Sequence, residues 1–109
     1  MKTFYFDDFV CKLGESAKEN WSLLDNSKDH HLFFHLSSFP SGYVIVEYEN
    51  TEPTHFILHT AAQICKNGTK FKSLNNVKVD WCRCDNLKKS DKVGEVYFNS
   101  NRRVQQIKV

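Results

Sequence analysis

HLFFHLSSFPSGYVIV, residues His31–Val46, is the stretch whose reading decides the fold. Leu32–Leu36 is a run of apolar and aromatic residues interrupted only by His35. Pro40-Ser41-Gly42 is a turn signal, and Tyr43–Tyr48 resumes a β run. Two such runs about a turn predict a β-hairpin.

Outward toward the N-terminus, Thr3–Phe6 and Phe9–Leu13 read as short strands, the second ended by Gly14. Ser16 with Glu19 three residues later is a capping-box signature, and Ala17, Trp21 and Leu24 follow at helical spacing. That helix dies in the polar stretch Asp25–His30. Toward the C-terminus, Thr51 and Pro53 open a second helix with a buried stripe of Phe56, Ile57, Ala61, Ile64 and Cys65, stopped by Asn67-Gly68. Val77, Val79 and Trp81 alternate with Lys78 and Asp80 as a half-buried strand. Val93–Phe98 and Val104–Val109 flank Asn99–Arg103 as a last hairpin. The order β-β-α-β-β-α-β-β-β predicts an α+β domain: a mainly antiparallel β-sheet with two α-helices packed on one face. No internal repeat or linker divides residues 1–109.

A chain of 109 residues is one domain's worth, large enough to bury a core without staples. With 40% hydrophobic, 26% charged and 14% aromatic residues, it is neither a disordered nor a low-complexity polymer. No apolar run approaches the ~20 residues of a membrane-spanning helix, so no membrane partner is expected. Asp7 and Asp8 stand where a secretory core would sit, so a cytoplasmic protein is expected. Cys11, Cys65, Cys82 and Cys84 are sparse and irregular, which suits reduced thiols. No second pair closes a zinc site, and no cofactor is expected.

Net charge is +2, but its sign is segregated: residues 1–65 carry −5 and residues 66–109 carry +7. Such asymmetry points to a face for polyanions, against the plainer reading of a solvated lysine-rich surface. Lys88, Lys89, Lys92, Arg102 and Arg103 fall in or near predicted turns, where cations reach phosphates.

Three stretches resemble a known family. LGESAKEN (Leu13–Asn20) is similar to the pattern that opens the NFACT-R domain, and His31–Val46 resembles that family's signature of an apolar strand with a histidine before a small-residue turn. CDNLKKSDKVGEVYF (Cys84–Phe98) is similar to its asparagine-apolar-lysine-lysine loop followed by glycine and a strand. The chain departs from the pattern at His31, usually acidic, at Phe33, usually tryptophan, and at Tyr43, where a second histidine is usual.

NFACT-R is the RNA-binding domain of proteins of ribosome-associated quality control. The resemblance therefore implies a free-standing, non-catalytic domain that binds structured RNA, tRNA or rRNA; DNA, the ribosome and a protein partner stay open as further alternatives. Elongation of stalled peptides, which full-length members support, is not implied for this chain.

The resemblance and the residue types together nominate a site. Lys88 and Lys89 are adjacent cations in a loop headed by Asn86, whose amide fixes that loop or reaches a sugar or base. Arg102 and Arg103 at a hairpin tip follow the same logic. His35 is either a backbone-bonded core histidine or an imidazole that meets phosphate or base. Phe33 and Tyr43 are packing residues first; if the turn at Pro40–Gly42 puts Tyr43 on one face with His35, that pair forms an aromatic platform. Asn20 makes a local structural hydrogen bond or an RNA contact.

Catalytic readings fare worse. Asp29-His30-His31 spells the string of a phosphoesterase superfamily, but the chain is too short and lacks an aspartate-x-aspartate partner. His55 and His59 lie i, i+4 without the glutamate of a metalloprotease helix. No nucleophile has a recognisable elbow or base. The leading rival is a protein-interaction module of the same fold that has lost RNA binding.

Overall fold

The run Leu32-Phe33-Phe34-His35-Leu36 forms strand β3 (Leu32–Leu36), and it is a run because both of its faces are covered. In the computed structural model, which describes residues 1–50 and 52–109, β3 lies inside a six-stranded antiparallel sheet. Its other strands are β1 (Lys2–Tyr5), β2 (Val10–Leu13), β4 (Val44–Glu47), β5 (Lys78–Arg83) and β8 (Gln105–Lys108). The order across the sheet is β1-β2-β4-β3-β5-β8. Strands β6 (Leu87–Lys89) and β7 (Val96–Phe98) form a separate hairpin, and the predicted α+β class holds.

Helix α1 (Ala17–Asp25) starts where the capping box predicts: Ser16 Oγ accepts the Glu19 N–H at 3.1 Å, and the Glu19 carboxylate accepts the Glu15 N–H at 2.9 Å. Helix α2 (His55–Asn67) is capped by Thr54, whose Oγ1 accepts the Ile57 N–H at 3.2 Å. Thr51, expected to open this helix, lies outside the described residues. Ile57, Ala61 and Cys65 are buried as expected, whereas Phe56 stands 63% exposed, one helical step off that stripe.

The two helices do not share a face. Leu32, Phe34, Leu36, Val44, Val46 and Val79 form one core with Ile57, Ala61, Ala62 and Cys65 of α2. Phe33, Tyr43, Ile45 and Cys82 form a second core with Leu23 of α1, and Trp21 and the hairpin residues Leu87, Val96 and Phe98 close it. The expected packing on one side is corrected for a physical reason. Successive strand residues point to opposite faces, so an apolar run needs a layer on each.

The last hairpin also differs from expectation. Val96–Phe98 pairs with Leu87–Lys89, while Gln105–Lys108 crosses to the sheet edge beside β5, with Val79 opposite Ile107. Apolar burial explains both choices: Phe98 and Leu87 close the second core, and Ile107 packs on the first. Two glycines set close approaches. A Cβ on Gly42 would lie 1.9 Å from the Gly14 carbonyl oxygen. Gly94, at φ +87°, presses the hairpin turn onto Ala17 of α1.

Candidate functional site

Leu87-Lys88-Lys89 is a strand rather than a loop, and its pleat separates the two lysines. Lys88 lies directly opposite Tyr97 in the β6–β7 register. Both are exposed, Tyr97 by 64%, and Lys88 has no ion-pair partner among the described residues. Facing positions on an antiparallel pair hold their Cβ atoms about 5 Å apart, so a cation and an exposed ring stand side by side. Lys89 turns the other way. It pairs with Asp25 of α1, and its Nζ sits 4.9 Å from the centroid of the Trp21 ring.

Asn86 belongs to the scaffold. It is fully buried, its Nδ2 donates to the Ser100 carbonyl at 2.9 Å, and its Oδ1 accepts the Ser100 N–H at 2.9 Å. Of the two roles left open for its amide, fixing the loop is the one observed. That clamp ties the start of β6 to the turn Asn101–Arg103, so the lysine strand and the arginine turn are held to one another. Arg103 there pairs with Asp85, while Arg102 is exposed with no ion-pair partner among the described residues. Asn20 is likewise structural: its Oδ1 accepts the Tyr43 N–H at 3.0 Å.

Phe33, His35 and Tyr43 do come together, on the sheet face under the hairpin. Phe33 and His35 rings are parallel at 6.4 Å, and Tyr43 stands edge-on to both at 4.9 and 5.8 Å. Phe33 and Tyr43 are only 1% and 2% exposed, so this is a cavity wall and not an open platform. The cavity, about 220 Å³, is also lined by Asp80, Gly94, Glu95, Val96 and Phe98. The His35 Nδ1–H donates to the Leu36 carbonyl at 2.7 Å, leaving Nε2 as an acceptor. Burial holds the His35 imidazole below its ordinary pKa, which favours the neutral ring. The Tyr43 hydroxyl donates to the Gly94 carbonyl, and burial pushes its pKa up to about 12.

A broader cleft of about 590 Å³ opens at the start of α1, between Gly14, Gly42 and Gly68. The Ser16 and Glu19 side chains already take backbone donors there, and Lys2, Glu15 and Lys70 line it with charges of both signs. The four cysteines are free and buried. Loss of hydration raises the thiol pKa of Cys11 and Cys84 to about 12, and of Cys65 and Cys82 to about 11.

One cluster resembles a metal-ligand set. His30, His31 and Glu49 bring their ligand atoms within 4.8 Å of one another. The Lys28 N–H, however, donates to His31 Nδ1 at 3.1 Å, which places the ring proton on Nε2, facing the Glu49 carboxylate at 3.3 Å. His30 Nε2 meets the same carboxylate at 2.5 Å. The cluster is closed by its own hydrogen bonds, and His31 offers no lone pair where a cation would sit.

Tyr97 was missed in the sequence because nothing local says that Lys88 faces it; the signal was the alternation Val96-Tyr97-Phe98 against Leu87-Lys88-Lys89. No helix among the described residues is long and apolar enough to cross a membrane. No protein-family profile and no curated protein sequence matches this chain. Among solved structures, it is similar to the C-terminal part of the fibronectin/fibrinogen-binding protein from Streptococcus suis, with a TM-score of 0.82 and 23% identity. The match covers 93% of this chain and 41% of that one, so this chain spans less than half of its neighbour and shares its fold.

Proposed function

We propose that this chain is a non-catalytic, cytoplasmic nucleic-acid-binding domain of the NFACT-R type. It captures structured RNA, tRNA or rRNA, on the outward face of the β6–β7 hairpin, in the service of translation or ribosome-associated quality control. The observation that carries the reading is the exposed pair Lys88–Tyr97, a cation free to meet phosphate beside a ring free to stack on an unpaired base. The excess of +7 in residues 66–109 supports it, and Arg102, on the turn that Asn86 ties to β6, adds a second exposed cation. Shape selects the ligand, and DNA binds more weakly through the same phosphate contacts.

The test is a pair of single variants, Lys88→Ala and Tyr97→Ala, titrated against labelled tRNA. Each weakens binding at least fivefold with an unchanged melting temperature; wild-type affinity in both removes the hairpin face from the reading. A second reading, a protein-binding module, is favoured by the neighbour's description as part of a fibronectin/fibrinogen-binding protein. Such a module binds its protein partner indifferently to added RNA.

A further inference from the structure

The cavity under the hairpin has a chemistry opposite to the hairpin's outer face. Its walls are rings: Phe33 and His35 parallel to one another, Tyr43 and Phe98 roughly perpendicular to Phe33. Its polar side chains have no donor to spare. The His35 Nδ1–H goes to Leu36, and the Tyr43 hydroxyl goes to Gly94. The polar side chains that line the space are His35, whose Nε2 is the ring nitrogen not used by Leu36, and two carboxylates, Asp80 and Glu95. Asp80 lies cross-strand from His35, with one oxygen accepting from the Gln106 amide at 2.8 Å and the other without a hydrogen bond among the described residues. The Glu95 carboxylate pairs, among the described residues, with the exposed Lys92 at 3.5 Å.

Side chains that offer acceptors and negative charge beside aromatic rings disfavour phosphate and match a group made wholly of donors. Guanidinium carries five N–H donors and no acceptor, stacks on aromatic rings, and pairs with carboxylates in a fixed fork. The volume, about 220 Å³, lies below that of pockets for whole drug-sized ligands and suits a side-chain head group. We propose that this cavity seats the guanidinium of an arginine presented by a protein partner, stacked on its rings and paired with Asp80. The hairpin then serves two ligands by strand alternation. Lys88 and Tyr97 look outward to RNA, while Val96 and Phe98 line the arginine cavity.

The experiment uses isotope-labelled protein and two small probes, arginine amide and citrulline amide, followed by backbone amide shifts. Citrulline keeps the length and replaces the charged guanidinium with a neutral urea. Arginine amide shifts the His35, Gly94 and Phe98 amides saturably, and citrulline amide binds at least tenfold more weakly. Asp80→Asn reduces arginine affinity at least fivefold, and Lys88→Ala leaves it unchanged. Should Asp80→Asn lose its dispersed spectrum, Glu95→Gln on the exposed rim reads the same charge dependence. Equal binding of both probes, saturation unaffected by either carboxylate change, or shifts that never saturate would overturn the assignment. Loss of RNA binding in Lys88→Ala with arginine binding intact shows the two sites to be separate.

Discussion

Replacing Asn86 with alanine separates scaffold from ligand contact. The side chain makes two hydrogen bonds to the main chain of one residue, donating to the Ser100 carbonyl and accepting the Ser100 N–H, both at 2.9 Å. Alanine leaves both backbone groups without their partner, and each such loss costs about 1–3 kcal/mol. Ser100 is only partly buried, so water reaches it in part and the lower half of that range applies. Together the two losses give about 2–4 kcal/mol, a large share of the 5–15 kcal/mol typical of a domain. The remaining Asn99 N–H to Asn86 carbonyl bond at 2.8 Å is main chain and survives. Asn86→Asp keeps the acceptor but turns an oxygen onto the Ser100 carbonyl, so it is at least as damaging. Urea unfolding measures the loss, and amide exchange at Ser100 and Asn101 localises it. A loss under about 0.5 kcal/mol with weakened RNA binding would refute the clamp and make Asn86 a ligand contact.

Three further outcomes follow from the same geometry. Lys88→Ala with Lys89→Ala weakens tRNA binding at least tenfold, about 1.4 kcal/mol; anisotropy of the single variants assigns most of it to Lys88, because Lys89 is held by Asp25 and Trp21. Burial lowers the folded-state pKa of His35 below 6.5, so the unfolded chain takes up the proton first and stability falls as pH drops below about 6.5. Chemical denaturation from pH 7 to 5 shows a shallower fall in His35→Gln; an identical slope would exclude the imidazole as its source. Gly42→Ala drives a methyl against the Gly14 carbonyl, a contact at 1.9 Å that must be relieved, and lowers stability by about 2–3 kcal/mol, read as a fall of roughly 10 °C in melting temperature.

What the sequence made legible was local. The Ser16–Glu19 capping box starts α1, the turn at Pro40-Ser41-Gly42 joins paired strands, and Val79 alternates with Asp80 as read. What it hid was long-range. Leu32–Leu36 carries no mark of which residues look up or down, so the second layer, with α1 opposite α2, was not visible. Val93–Phe98 carries no mark of its partner, since three-residue strands pair by what they bury. The same blindness shaped the site: Lys88 and Lys89 read as one patch, although β pleating sends one to solvent and the other to Trp21. Phe33, His35 and Tyr43 lie together, yet their burial under the hairpin depends on Phe98 and Gly94, more than fifty residues away.

On the proposed reading, the outward face of the β6–β7 hairpin captures RNA by phosphate contacts. The most direct measurement is fluorescence anisotropy of labelled tRNA, a single-stranded RNA and a DNA duplex at two salt concentrations. Micromolar or tighter binding that favours tRNA, with log K falling against log salt at a slope of roughly −1 to −2, matches two engaged cations, Lys88 and Arg102. Flat titrations with all three ligands would contradict the claim and leave the fold to a protein partner.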